Sequence, residues 1–276
     1  MDAATGDPCL NTLLAGLPHV AWNHLRRSLD LVYLPLGAVL YEPGGESDSV
    51  YFPTTAIVSL QSELADGNCA ELAAVGNEGM VGIALFMGGA TTSSRAVVDI
   101  PGEALRLKAE ILKQEACHWG GLQSRVLLYA QVLITHLAQA AVCNRHHSVE
   151  QQMCRWLAGR LDRQHSNELI ATHELIAARL GVRRESVTTA ASSLQHAGVI
   201  HYQRGHILVL DRAGLEAHCC ECYAAVKQEM NRLSHITVQA PHMPAPLLDA
   251  HPKARPALRA PGALHPQLVV CRDLPT

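Results

Sequence analysis

Seven polar residues between positions 183 and 204 have the types and spacing needed to read DNA: Arg183, Arg184, Glu185, Ser186, Thr188, Thr189 and Arg204. An arginine can donate two hydrogen bonds to the major-groove edge of guanine, and a glutamate can accept one from cytosine N4. Recognition helices make such contacts with their N-terminal residues. The segment therefore predicts a surface that binds double-stranded DNA.

The elements around these residues predict a winged helix-turn-helix. Thr172 can cap a short helix, and Gly181 follows where a tight turn between helices needs a residue free of steric limits. A second helix is expected from about Arg184 to His196, with Gly198 ending it. Two β-prone runs follow, Val199–Tyr202 and Ile207–Leu210, and the residues between them, 203–206, predict a hairpin turn.

The charge of this segment leaves a second interpretation open. Its arginines exceed its glutamates by two: Arg179, Arg183, Arg184 and Arg204 against Glu174 and Glu185. Because this excess is modest, a winged helix that binds only proteins, with its charges as a solvated face, remains an alternative.

Cysteine and histidine form two groups that could ligate a metal. One comprises His218, Cys219, Cys220 and Cys222, and the other comprises Cys143, His146, His147, Glu150 and Cys154. Neither shows the paired CxxC spacing of a structural zinc site. Since cysteine is also a common small core residue, we expect no metal, no cofactor and mostly reduced thiols. A metal- or redox-sensing regulator is the alternative.

Upstream of these groups, positions 18–115 predict a β-roll. Short apolar runs recur there between proline and glycine separators, as in small barrels and rolls. The runs are Leu31–Leu34, Val39–Tyr41, Val50–Phe52, Ile57–Leu60, Glu71–Val75, Arg95–Ile100 and Ala104–Leu107. A helix at about Pro18–Ser28 is expected to precede them.

A long helix is expected within positions 116–146. No proline or glycine interrupts the chain from Leu122 to Cys143, and apolar residues recur there at steps of three and four. They form one seam: Leu127, Ala130, Ile134, Leu137 and Ala141. Such a seam favours pairing with a second copy of the chain, and burial within one chain is the alternative.

The remaining segments complete an α+β organisation. Ser148 and Gln151 predict a capping box at the start of the DNA-binding segment, 147–236. Positions 237–276 hold eight of the fourteen prolines and no sustained period, which predicts a disordered tail.

Composition excludes several classes of protein. The 276 residues are 48% hydrophobic, which excludes a chain disordered throughout. Residues 1–115 carry a net charge of −8, which argues against DNA binding by that part. No membrane span or signal peptide is recognisable, so we expect a cytoplasmic protein without membrane contact. Nucleophile, nucleotide-loop and metalloprotease motifs are also missing from the sequence, so we expect no enzyme.

Residues 20–236 resemble the CRP/FNR family of bacterial transcription regulators. In the roll, the resemblance rests on Gly37, Leu40, Gly44 or Gly45, and the run Val50–Leu60. In the DNA-binding part, it rests on LGVRRESVTTAASSLQHAGVI, Leu180–Ile200. It implies a cyclic-nucleotide-binding-like sensor roll, a dimerisation helix and a winged helix. Its implied partners are double-stranded DNA, a second copy of the chain and RNA polymerase.

The same resemblance assigns residue roles and shows departures. Arg184 and Glu185 fall on the family's base-reading pair, whereas Thr189 stands where the family often has arginine, which implies a different target sequence. Family members that bind cyclic AMP have Gly-Glu and Arg-Ser in a phosphate cassette. Here Gly82 precedes Ile83 and Arg95 precedes Ala96. We therefore expect Gly82 and Arg95 at an effector site that does not take cyclic AMP. A nucleotide-binding protein that regulates a protein partner is a further alternative.

Overall fold

The computed structural model describes residues 10–235, except positions 66, 68, 90, 119 and 165. The predicted tail at 237–276 and the residues Cys9 and Cys271 lie outside the described residues. The described chain mixes helices and antiparallel sheets, as an α+β protein should.

Seven antiparallel strands form a roll of two sheets, ordered β1-β7-β3 and β2-β6-β4-β5. The strands are β1 (Asp30–Leu34), β2 (Val39–Tyr41), β3 (Ser49–Pro53), β4 (Ile57–Glu63), β5 (Cys69–Val75), β6 (Arg95–Ile100) and β7 (Gly102–Lys108). Each apolar run predicted from the sequence lies in one of them. Strand β7 shows why: Leu105 and Leu107 face the core while Arg106 and Lys108 face solvent.

The core of the roll reaches upstream of the predicted boundary at position 18. Helix α1 (Thr12–Ala15) is capped by Asn11, and its Leu13 and Leu14 are buried in that core. Arg125 donates hydrogen bonds to the carbonyls of Leu13 and Thr12, both at 3.1 Å. Leu13 and Leu14 thus pack with the roll although they precede position 18; α1 is short, and its burial cannot be read from helical periodicity.

Helices surround the roll on its remaining sides. They are α2 (His19–Leu25), continued by a 3-10 turn at Arg26–Ser28, then α3 (Ile83–Phe86), α4 (Ala109–His118) and α5 (Gly120–His146). The helix predicted at 122–143 lies inside α5. Its Leu122, Val126 and Tyr129 pack into the roll's core. By length and composition α5 could cross a membrane, which is a weak indication because core helices of soluble proteins pass the same test.

A second core lies downstream of α5. Its elements are α6 (Val149–Leu161), β8 (Glu168–Ile170), α7 (His173–Leu180), α8 (Arg184–His196), β9 (Ile200–Gln203), β10 (His206–Val209), α9 (Arg212–Ala217) and α10 (Glu221–His235). The predicted capping box is present: the Gln151 amide donates to Ser148 Oγ at 3.2 Å, and the Ser148 amide donates to Gln151 Oε1 at 3.1 Å.

Buried ion pairs join this second core to the roll. Arg160 of α6 pairs with Glu71 of β5 at 2.6 Å and also with Asp99 of β6, and Arg179 of α7 pairs with the same aspartate. The side chains of all four residues are at most 9% exposed. Burial alone would raise the pKa of Glu71, but the charge and hydrogen bonds of Arg160 outweigh it and hold that pKa below its ordinary 4.5.

Candidate DNA-binding surface and sensor cavity

Helix α8 begins at the predicted residue and presents the predicted side chains. Arg183 is its N-cap without a side-chain cap bond, and Arg184 and Glu185 open its first turn. All three are exposed. Arg184 lies 3.9 Å from Glu174, and both side chains are more than 60% exposed, so this pair contributes little and leaves the arginine able to reach a ligand.

The three hydroxyl residues in the first turns of α8 differ in exposure and in hydrogen bonding. Ser186 is half-buried, whereas Thr188 and Thr189 are exposed. The two threonine hydroxyls donate to the carbonyls of Arg184 and Glu185, at 3.1 and 3.0 Å. Because these bonds occupy the hydroxyls within the helix, the methyl groups are the contacts that we expect the threonines to offer to thymine.

A helix cap, a glycine turn and buried side chains hold α7 and α8 together in the helix-turn-helix. Thr172 caps α7 by accepting from the Leu175 amide, and Gly181 ends α7 with φ +66°, where a side chain would be strained. Val187 and Leu194 of α8 are buried. The turn between the helices therefore fixes the angle at which α8 projects.

A three-stranded sheet, ordered β8-β10-β9, forms the wing. Arg204 and Gly205 make its turn with φ +49° and +85°, the pair of positive angles that a tight hairpin needs. Arg204, which the sequence places among the DNA contacts, is exposed at this tip. The short strand β8 was not predicted, because three residues carry no usable period.

Sequence reasoning missed His173 and Tyr202, which join the wing to the helices. Their rings stack with centroids 4.1 Å apart, and His173 Nδ1 lies 3.0 Å from Thr188 Oγ1. Partial burial and the nearby charge of Arg184 lower the pKa of His173. Gln195 Oε1 also accepts from the Tyr202 amide at 2.8 Å, so wing and recognition helix form one surface.

Arg179 does not belong to this surface. It was counted with the basic residues of the motif, but it is buried and paired with Asp99 of the roll. The modest basicity of the face is therefore supplied by Arg183, Arg184 and Arg204.

The apolar seam of α5 is largely exposed. Leu127, Ile134 and Leu137 are 51%, 56% and 37% exposed, and Ala141 is exposed as well. Ala130 is different, because it is buried within its own chain. Ala130 therefore does not belong to the exposed part of the predicted seam, and periodicity alone does not show which positions of a helix face its own chain.

A cavity of about 180 Å³ lies between the roll and α5. Gly82 lines it as the N-cap of α3 with φ +96°. Hydroxyl groups of Tyr41 and residues 91–94 form part of the wall. Five leucines complete it: Leu60, Leu72, Leu85, Leu133 and Leu137. Arg95 begins β6 next to this wall without lining it, and pairs with Glu42 at 3.0 Å. The cavity wall in the described part of the chain thus has no charged side chain.

The structure brings members of the two predicted cysteine and histidine groups together. Cys143 and His147 of one group lie beside Cys220 and Cys222 of the other. His218 instead pairs with Glu150 at 3.1 Å, and Cys154 packs in the second core. The seven cysteines in the described ranges are not joined by disulfides.

Known proteins share this architecture. Residues 151–218 match the Crp-like helix-turn-helix domain. Among solved structures, FixK2 from Bradyrhizobium japonicum is 16% identical with a TM-score of 0.59, over 70% of this chain and 98% of its own. A CRP/FNR-family regulator from Thermus thermophilus is 24% identical with a TM-score of 0.54, over 68% of this chain and 97% of its own.

A further neighbour is CLP from Xanthomonas campestris, described as a global regulator that responds to c-di-GMP. It is 17% identical with a TM-score of 0.56, over 70% of this chain and 100% of its own. No curated protein sequence matches the chain. The chain therefore carries a Crp-like helix-turn-helix domain at residues 151–218 and shares its fold with solved regulators of the CRP/FNR family.

Proposed function

We propose that this protein is a homodimeric, sequence-specific DNA-binding regulator that reads an inverted repeat with the N-terminal end of α8. One observation carries the proposal: Arg183, Arg184 and Glu185 project together into solvent from the start of a helix whose opposite face is buried. Base edges in the major groove are read from this position in helix-turn-helix proteins.

The exposed seam supports the dimer. Leu127, Ile134 and Leu137 recur on one side of α5, where their exposure to water is unfavourable. Full burial of each aliphatic side chain would stabilise the dimer by ~1.5–3 kcal/mol. In a symmetric pair of helices, each of these residues is buried on both chains. A two-fold axis along α5 would set two α8 helices about one DNA turn, ~34 Å, apart.

Cyclic AMP is not the effector that we propose for the cavity. A cyclic phosphate is usually held by a cationic side chain together with backbone amides, but the described side chains of this wall are aliphatic or neutral, and none is cationic. Arg95, the residue that the sequence assigns to an effector site, is paired with Glu42. The chemistry favours an uncharged or weakly polar ligand, or none.

The remaining partners follow from the same role. We propose that the protein acts in the cytoplasm, where it meets both double-stranded DNA and RNA polymerase, and that it turns over no substrate.

Genomic footprinting of the full chain tests the proposal. Protected sites should lie upstream of genes and contain paired half-sites, and a protein carrying Arg184→Ala should occupy them less and lose the preference at one position of each half-site. Uniform occupancy without preferred sites, or occupancy unchanged by the substitution, would contradict sequence-specific reading by α8.

A further inference from the structure

Three cysteines and one histidine converge where α5 ends and α10 begins. Cys143 lies in the last turn of α5, and His147 follows that helix directly. Cys220 immediately precedes α10, and Cys222 lies in its first turn. The three sulfurs and a ring nitrogen of the histidine all lie within 4.8 Å of one another.

Two of the distances between these atoms match the edges of a tetrahedral metal site. Cys143 Sγ is 3.5 Å from Cys220 Sγ, and Cys222 Sγ is 3.6 Å from His147 Nδ1. With Zn–S near ~2.3 Å and Zn–N near ~2.0 Å, a tetrahedron has edges of roughly 3.5–3.8 Å. A disulfide would need sulfurs about 2.05 Å apart, so these cysteines are not cross-linked.

Burial distinguishes this group from a chance surface cluster. Cys143, Cys220 and Cys222 are 0–5% exposed and form a small cluster of their own, apart from the two main cores. His147 is more accessible, with a side chain 13% exposed. An ion could enter past the histidine and be enclosed by the sulfurs.

A second layer of contacts holds the histidine in the orientation that a ligand requires. Nδ1 faces Cys222, while Nε2 lies 3.3 Å from Glu221 Oε1. The His147 carbonyl accepts a hydrogen bond from the buried Gln152 side chain at 3.0 Å. Metal-binding histidines commonly donate their second nitrogen to a carboxylate in this way. The positive charge of Arg155 acts on Cys143 and would offset part of the negative charge of three thiolates.

We propose that Cys143, His147, Cys220 and Cys222 form a binding site for one divalent transition-metal ion of the zinc type. Soft sulfur and imidazole donors select such ions over magnesium and calcium. Binding replaces three S–H bonds with three metal–sulfur bonds and releases three protons to solvent. Four protein ligands leave no open position, so the site is structural or sensory rather than catalytic.

The site would join the end of the long helix to the last helix of the DNA-binding domain. Helices α5 and α10 already pack along each other, and a bound ion would fix them at their shared end. The proposal concerns metal binding alone and stands independently of the proposed DNA-binding function.

Titration of the metal-free, reduced full chain with cobalt(II) chloride tests this site. We expect saturation at one ion per chain, absorption bands of tetrahedral cobalt bound by thiolate, release of about three protons, and displacement by zinc. Absence of thiolate-to-cobalt absorption in folded, reduced protein would overturn the proposal. So would a Cys143–Cys220 disulfide, found by mass spectrometry, that forms in air even in the presence of excess zinc.

Matched variants locate the ion. Cys220→Ser should abolish the absorption bands, whereas Cys219→Ser, at the adjacent thiol that donates to the Leu215 carbonyl, should retain them. If both variants keep the bands, or both lose them while circular dichroism shows an intact fold, the site is wrongly assigned.

A third variant avoids the risk of unfolding. Glu221 is 81% exposed, so Glu221→Gln should leave the fold intact. It should weaken cobalt affinity by ~10–100-fold, because His147 loses its carboxylate partner. Unchanged affinity in this variant would contradict the role of His147 as an oriented ligand.

Discussion

At the scale of single residues, Arg184 and Arg183 are adjacent arginines with different expected roles. Arg184 lies in the first turn of α8, and Arg183 is the N-cap before it. We expect Arg184→Ala to cost ~1–3 kcal/mol at the preferred site and to relax specificity at one base pair of each half-site. Binding to a library of duplexes that vary at every position measures both effects.

Arg183→Ala is the matched control for that experiment. A phosphate contact carries no sequence information, so this variant should weaken all duplexes alike and reduce the dependence of affinity on salt. If Arg184→Ala also weakens all duplexes equally, Arg184 contacts phosphate and does not read a base.

Loss of Glu71 should weaken the contact between the roll and the DNA-binding domain. It pairs with the buried Arg160, so Glu71→Gln leaves a buried positive charge with one fewer partner. Breaking a buried pair costs ~3–5 kcal/mol, and the second partner Asp99 should hold the loss toward the lower end. Urea unfolding measures it. Asp30→Asn, in the exposed pair with Arg106, should change stability by less than about 1 kcal/mol.

Glu71 also predicts that the stability of the fold depends on pH. The folded protein holds the pKa of Glu71 below 4.5. A carboxylate with a lowered folded pKa contributes stability above its unfolded pKa, and this stability is lost as pH falls through the folded pKa. Wild type should therefore lose stability on acidification below about 4.5 more steeply than Glu71→Gln. Equal slopes in urea unfolding at successive pH values would show that Glu71 does not carry this charge.

At the scale of secondary-structure elements, the exposed seam of α5 predicts the oligomeric state. Ile134→Glu places a charge at the centre of the seam, where a paired helix would have to bury it. We expect this variant to sediment as a monomer and to lose operator binding while retaining its circular dichroism spectrum. Gln114→Glu makes the same charge change on α4 and should remain dimeric.

A variant Ile134→Glu that stays dimeric and binds DNA normally would place the dimer interface on another surface. A wild-type chain that sediments as a monomer at micromolar concentration would contradict the dimer altogether.

Elements whose signals are local could be predicted from the sequence. Helix α8 begins and ends at the predicted residues, because its apolar positions repeat every three or four residues and its flanks carry Gly181 and Gly198. The capping box at Ser148 and the strands of the roll follow from equally local patterns.

Features that depend on distant parts of the chain could not be predicted in this way. Cys143 and Cys220 are 77 positions apart, and no periodicity indicates that the ends of their helices meet. The ion pairs of Arg160 and Arg179 with Asp99 arise only when the second core packs on the roll. For the same reason the sequence does not show that Arg179, which contributes to the local charge of the segment, is buried and paired with Asp99.

At the scale of the whole molecule, the cavity between the roll and α5 should not bind cyclic AMP. Its wall of leucines and neutral hydroxyl groups provides no charge for the phosphate, so calorimetry with millimolar cyclic AMP should give no binding heat. A micromolar dissociation constant that is lost in Arg95→Ala would show that Arg95 leaves Glu42 to bind the phosphate, contrary to this account.

The central claim is that two copies of the chain read DNA together. Selection of bound sequences from a random duplex library by the full-length protein tests it most directly. The account predicts an enriched inverted repeat whose half-site centres lie about one helical turn, ~34 Å, apart, with the preference at one position of each half-site lost in Arg184→Ala. Enrichment of a single half-site, of a direct repeat, or of no sequence at all would contradict it.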